Sequence, residues 1–66
     1  MAKFVKIGTK YINVDLIAHI DIEEMTIYLN SYDGLYGVFF YDKDFDSSKE
    51  FENKIIEVFN NYNRAN

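Results

Sequence analysis

No cysteine occurs among the 66 residues of this chain, and its one histidine stands alone. Disulfides, thiolate zinc sites and multi-histidine metal sites are therefore closed to it. Small folds commonly rely on such staples, because a chain near this length buries only about 60% of the surface that its unfolded form exposes. Dense packing or assembly with a partner subunit remains. Six Phe and six Tyr serve the first of these, since an aromatic side chain can bury about 150–250 Å². A hydrophobic share of 48% also sets the chain apart from disordered segments. One domain is expected over residues 1–66.

Charge narrows the function. Eleven acidic against seven basic residues give a net charge of −4. Affinity for nucleic acid comes chiefly from Lys and Arg set against phosphate, and the single Arg is Arg64. Lys3, Lys6 and Lys10 are the one local basic strip, and three lysines on a strand and its turn are more often a solvated face. The balance argues against a nucleic-acid partner. No apolar run approaches the roughly 18 residues of a membrane span. Met1 to Lys10 lacks the apolar stretch of a secretory signal. With the absence of cysteine, these features place the expected location in the cytoplasm, away from membranes.

Hydrophobic periodicity lays out five strands and a helix. Residues 3–8 and 10–13 read as strands joined at Gly8-Thr9-Lys10. Asn13-Val14-Asp15-Leu16 reads as a tight turn or one helical turn, because Asn and Asp bond nearby backbone. Over 16–23 the residues alternate, with Leu16, Ala18, Ile20 and Ile22 inward and Ile17, His19, Asp21 and Glu23 outward. Residues 26–30 continue with Ile27 and Leu29 inward and Thr26, Tyr28 and Asn30 outward. Asp33-Gly34 marks a hairpin leading to a strand over 35–41 that is apolar on both faces. Ser47 and Glu50 fit a capping box. Phe51, Ile55, Val58, Phe59 and Tyr62 then form the stripe of an amphipathic helix over 48–62, on which Glu50 and Lys54 are spaced as an ion pair. Asn63 to Asn66 read as a fraying end. The expected class is α+β: an antiparallel meander of four or five strands with one C-terminal helix packed on one face. The alternative is a curled half-barrel whose open side the helix plugs.

The stretch from Lys6 to Ile22 resembles the small bacterial flagellar-operon proteins known as FlbD. The resemblance rests on Gly8, Tyr11, Asn13, Asp15, Leu16 and Ile17, a Gly-centred turn leading through an aromatic strand into an Asn-x-Asp-Leu-Ile segment. It implies the same layout of strands, hairpin and final helix. That family has no established catalytic residues, so the resemblance brings none to this chain.

Asp42, Asp44 and Asp46 fall at positions 1, 3 and 5 of a calcium-loop pattern, with Glu50 at position 9. The sharp-turn glycine is replaced by Ser47 and the bidentate glutamate by Asn53. Acids before a helix N-terminus are also favoured by the helix dipole, and that reading is preferred; neither metal nor cofactor is expected. His19 has no Ser, Cys or Lys at a recognisable nucleophile spacing. No Gly-rich phosphate loop occurs, and a chain this short does not wrap a water-excluded pocket around its paired carboxylates. An enzyme is not expected.

The aromatic excess carries more. One helix covers one sheet face, so Phe4, Tyr28, Tyr36, Phe39 and Tyr41 become candidates for an interface, unless the sheet curls and buries them. The expected function is a non-catalytic protein-interaction or regulatory module with an unidentified protein partner, self-associating as a homodimer. The alternative is an acidic inhibitor of the kind made by bacteriophages, which blocks a host protein by imitating nucleic-acid charge. Asp33, Asp42, Asp44, Asp46, Glu50 and Glu57 would supply that charge.

Overall fold

The computed structural model describes residues 3–64; Met1, Ala2, Ala65 and Asn66 lie outside the described residues, so the end expected to fray is described only through Arg64. Strand β1 (Phe4–Ile7) turns through Gly8 and Thr9 into β2 (Lys10–Asn13). The turn works because Gly8 takes φ +62°, the left-handed setting that a two-residue hairpin loop with Gly in first place requires. Pairing Phe4 with Asn13, Val5 with Ile12 and Ile7 with Lys10 puts Ile7 and Ile12 in the core. Phe4, Lys6 and Tyr11 are left exposed on the outer face.

A single 3-10 turn over Val14–Leu16 follows, as the Asn-x-Asp spacing predicts. The Asn13 side chain accepts the Asp15 N–H at 3.1 Å, and the Val14 N–H donates to the Lys3 carbonyl at 2.9 Å. This turn divides the meander. The remaining strands, β3 (Ile17–Asp21), β4 (Thr26–Ser31) and β5 (Gly34–Phe39), form a second antiparallel sheet in the order β3-β4-β5. The α+β class with five antiparallel strands and a C-terminal helix is therefore found, as two open sheets rather than a closed barrel.

The alternation expected over 16–23 breaks at its start. A register shift between Ile17 and His19 inserts one extra residue, so Ile17 and Ile20 pack on the core while Leu16 and Ala18 are exposed. A bulge of this kind leaves no composition signal. Thr26, placed outward by simple alternation, is fully buried, and its hydroxyl donates to the Glu24 carbonyl at 3.0 Å. Asp21 closes the β3–β4 loop by accepting the Glu24 N–H at 2.9 Å.

Helix α1 (Ser48–Arg64) begins as a variant of the expected capping box. The Ser47 hydroxyl accepts the Glu50 N–H at 3.3 Å, and the Glu50 carboxylate accepts the Asp46 N–H at 3.2 Å, one residue further back than the motif prescribes. With Glu50 so engaged, Lys54 pairs with Glu57 at 3.6 Å instead of with Glu50. Phe51, Ile55 and Val58 are buried against Ile7, Ile12, Val14, Ile27 and Phe40, which joins both sheets and the helix in one core. Phe51 is its centre: its ring lies 5.5 Å from that of Phe40 and 5.4 Å from that of Phe45. The molecule is only 17 Å across its shortest axis, the depth of one helix layer on one sheet layer.

Candidate interaction surface

The five candidate interface residues separate into distinct places. Phe4 stands on the outer face of the first hairpin, and Tyr41 follows β5 in the connection to the helix. Both are 61% exposed. Tyr36 pairs with Leu29 on the core-side face of the second sheet, yet lies far enough along the β4–β5 hairpin to be exposed. Tyr28 and Phe39 come together on the opposite face of that sheet. Their link is Gly37: it pairs with Tyr28, and a Cβ placed there would meet Tyr28 Cε1 at 3.3 Å and Phe39 Cζ at 3.6 Å. The Tyr28 ring thus covers the gap left by a residue with no side chain.

His19, placed outward by the alternation of its strand, extends this face. Its ring lies 4.4 Å from that of Tyr28 at a tilt of 30°. Leu35 adds to the same face at the far end of β5. The result is a run of His19, Tyr28 and Phe39 on the solvent side of the sheet, with Leu35 on the same side beyond Gly37. Neither Leu35 nor His19 belongs to the Phe and Tyr excess that marks interface candidates in the sequence, and only the register sets them on one face with Tyr28 and Phe39. That run meets an open strand edge. β5 pairs with β4 alone among the described residues. The Phe40 N–H donates to the Met25 carbonyl at 3.0 Å, so by antiparallel alternation Val38 and Tyr36 also point their backbone groups toward β4. Leu35, Gly37 and Phe39 point theirs away from the sheet.

The acidic residues behave differently. Asp44 is turned inward and its side chain has no accessible surface. Its Oδ1 accepts both the N–H and the hydroxyl of Thr9, at 3.0 and 2.8 Å; Oδ2 accepts the Tyr41 N–H at 3.3 Å and lies 3.7 Å from Lys10 Nζ. This clasp ties the tip of the first hairpin to the chain leaving the second sheet. Asp42 and Asp46 are exposed. Among the described residues, no three His, Cys, Asp or Glu side chains converge as a metal site. An open depression of about 350 Å³ on the helix flank is lined by Phe45, Glu50, Asn53, Lys54 and Glu57. There Lys54 interrupts the helix carboxylates and pairs with Glu57, and Asp44 is withdrawn, so the acids do not make an unbroken row. The basic strip is also divided: Lys3 lies over the Tyr62 ring at 4.6 Å and Lys10 over the Phe40 ring at 4.9 Å, while Lys6 faces outward.

The Thr9 hydroxyl is the main reason that the Asp44 carboxyl titrates below its ordinary value of 3.8; burial opposes it, and the Tyr41 and Thr9 N–H groups and the Lys10 charge add to it. A depressed carboxyl stabilises the fold fully above its unfolded value, and that contribution is lost as pH falls through the folded value. Asp44→Asn is therefore expected to melt below the wild type near neutrality, and the difference is expected to narrow as pH is lowered from about 6 to about 2. Melting curves across that range check this; a gap of constant size would remove Asp44 from the acid response. At the other end of the scale, the Tyr62 hydroxyl donates to Asp15 Oδ1 at 2.8 Å, and this bond, with the carboxylate's charge, raises the Tyr62 value above 10.0.

The segment from Lys6 to Ile22 serves this local architecture: Gly8 makes the turn, Asn13 caps the 3-10 turn, and Asp15 receives Tyr62. Comparison with protein-family models, curated proteins and solved structures finds no match to the chain. No helix among the described residues is long and apolar enough to cross a membrane.

Proposed function

We propose that this chain is a small non-catalytic protein-interaction module that binds through the solvent face and free edge of its three-stranded sheet. One observation carries the reading: an apolar and aromatic run over His19, Tyr28, Phe39 and Leu35 is contiguous with an edge strand whose outward backbone groups have no partner strand among the described residues. Backbone groups of a free edge supply hydrogen bonds to an added strand, and flanking apolar side chains supply selectivity. Tyr and Phe in exposed patches are also the residue types that interfaces favour.

The test is a selection of peptides from a displayed random library on the immobilised protein. Bound peptides are expected to be extended, apolar sequences that shift the amide resonances of Leu35, Gly37 and Phe39, and to be lost from a Phe39→Lys variant. Ligands that shift only helix or first-hairpin resonances, or a selection that enriches nothing, would overturn the reading.

A further inference from the structure

The two edges of the three-stranded sheet are built differently. β3, at one edge, carries the devices by which proteins protect an exposed strand: a bulge between Ile17 and His19, and a charge at Asp21. β5, at the other edge, reads Gly-Leu-Tyr-Gly-Val-Phe over Gly34–Phe39. It has no charged residue, no proline and no register shift against β4. In the first hairpin each strand carries a lysine, Lys6 in β1 and Lys10 in β2. On a chain with a net charge of −4, β5 is thus an uncharged edge left unprotected.

Its sequence is also self-complementary. In an antiparallel arrangement with a two-fold axis at Gly37, Gly37 meets Gly37 of the second copy, Leu35 meets Phe39, and Tyr36 meets Val38. Leu35, Gly37 and Phe39 are the residues whose N–H and C=O point away from β4, so each of these facing pairs can exchange two backbone hydrogen bonds. Large apolar side chains flank a glycine centre symmetrically on one face, and an aromatic meets a β-branched residue on the other, which is a favourable cross-strand pair. No charged residue meets a like charge within the strand.

Resting on the reading that this face and edge bind protein, we infer that the occupant is a second copy of the chain. Two copies pair β5 to β5 about Gly37 and join their three-stranded sheets into one. The contact is small against the ~1,200–2,000 Å² of a standard interface. Its dissociation constant is therefore in the micromolar range or weaker, and because both copies are acidic it tightens as salt screens them.

Light scattering from about 10 μM to about 1 mM, around that range, tests this. The mass is expected to rise with concentration from the 7.8 kDa monomer toward twice that value. Leu35→Lys and Phe39→Glu, each at an exposed position, are expected to weaken association by roughly tenfold or more. Mixing the two variants restores it, because the lysine of one copy then meets the glutamate of the other. Tyr11→Lys, on the first hairpin, leaves it unchanged. In the wild-type protein, with no substitution, the amides of Leu35, Gly37 and Phe39 are expected to gain exchange protection as concentration rises. A wild-type chain that stays monomeric, a dimer indifferent to both variants, or a mixture that fails to recover overturns the β5 pairing. Peptide selection separates this from the broader reading: a monomer that still binds peptides along β5 excludes only the second copy as the occupant.

Discussion

Phe51→Ala is expected to abolish cooperative folding near physiological temperature. The Phe51 ring is fully buried between Phe40 and Phe45 and lies where the helix meets both sheets. Truncating a buried Phe to Ala costs about 3–5 kcal/mol, from lost transfer free energy and the cavity left behind. A domain of this length has only roughly 3–10 kcal/mol of stability to lose, and no disulfide to limit the unfolded chain. A thermal or urea transition followed by circular dichroism is expected to become broad or vanish. A loss below about 1.5 kcal/mol would mean that the site collapses around the gap, and that Phe51 is not the centre of the core. Ile56→Ala is the matched control, since that side chain is on the same helix and 51% exposed.

Gly8→Ala is the second large effect, and its cause lies in two places at once. Gly8 takes φ +62°, where a residue with a Cβ costs about 1–3 kcal/mol. The same Cβ would lie 2.9 Å from Asp44 Oδ1 and 3.0 Å from Asp44 Cβ, closer than contacts allow. The carboxylate must then move, and its bonds to the N–H and hydroxyl of Thr9 go with it. The two causes separate in a double-mutant cycle. In an Asp44→Gly background, which removes the Asp44 Cβ as well as the carboxylate, the clash and the clasp are already gone, so Gly8→Ala is expected to cost only its backbone component. Additive costs in chemical denaturation would show that Gly8 acts through its backbone conformation alone.

Asp44 shows where reading the sequence reached its limit. As one of three alternating acids before a helix, it carried the appearance of a calcium ligand. Nothing in the spacing of Asp42, Asp44 and Asp46 distinguishes the middle one. What distinguishes it is Thr9, thirty-five residues away, and that pairing exists only once the first hairpin folds against the exit of β5. The helix was far more legible. Its stripe of Phe51, Ile55, Val58, Phe59 and Tyr62 and its Ser47 cap are local patterns, and they hold. The exception is the ion pair of Lys54, redirected when Glu50 reached back to Asp46.

The candidate surface divides along the same line. Tyr28 and Phe39 were visible as excess aromatics on strands. Their meeting across Gly37, the addition of His19, and the exclusion of Phe4 and Tyr36 from that face depend on register and on the bulge at Ile17. The strand runs, the turn residues at Gly8 and Asn13 and the amphipathic helix are legible in the residues alone, because each follows from sterics and periodicity within a few residues. Which aromatics share a face, which strand edge is open and where Asp44 points emerge only when the chain is folded. Those outcomes are set by contacts between segments far apart in the chain, whose register no local pattern encodes.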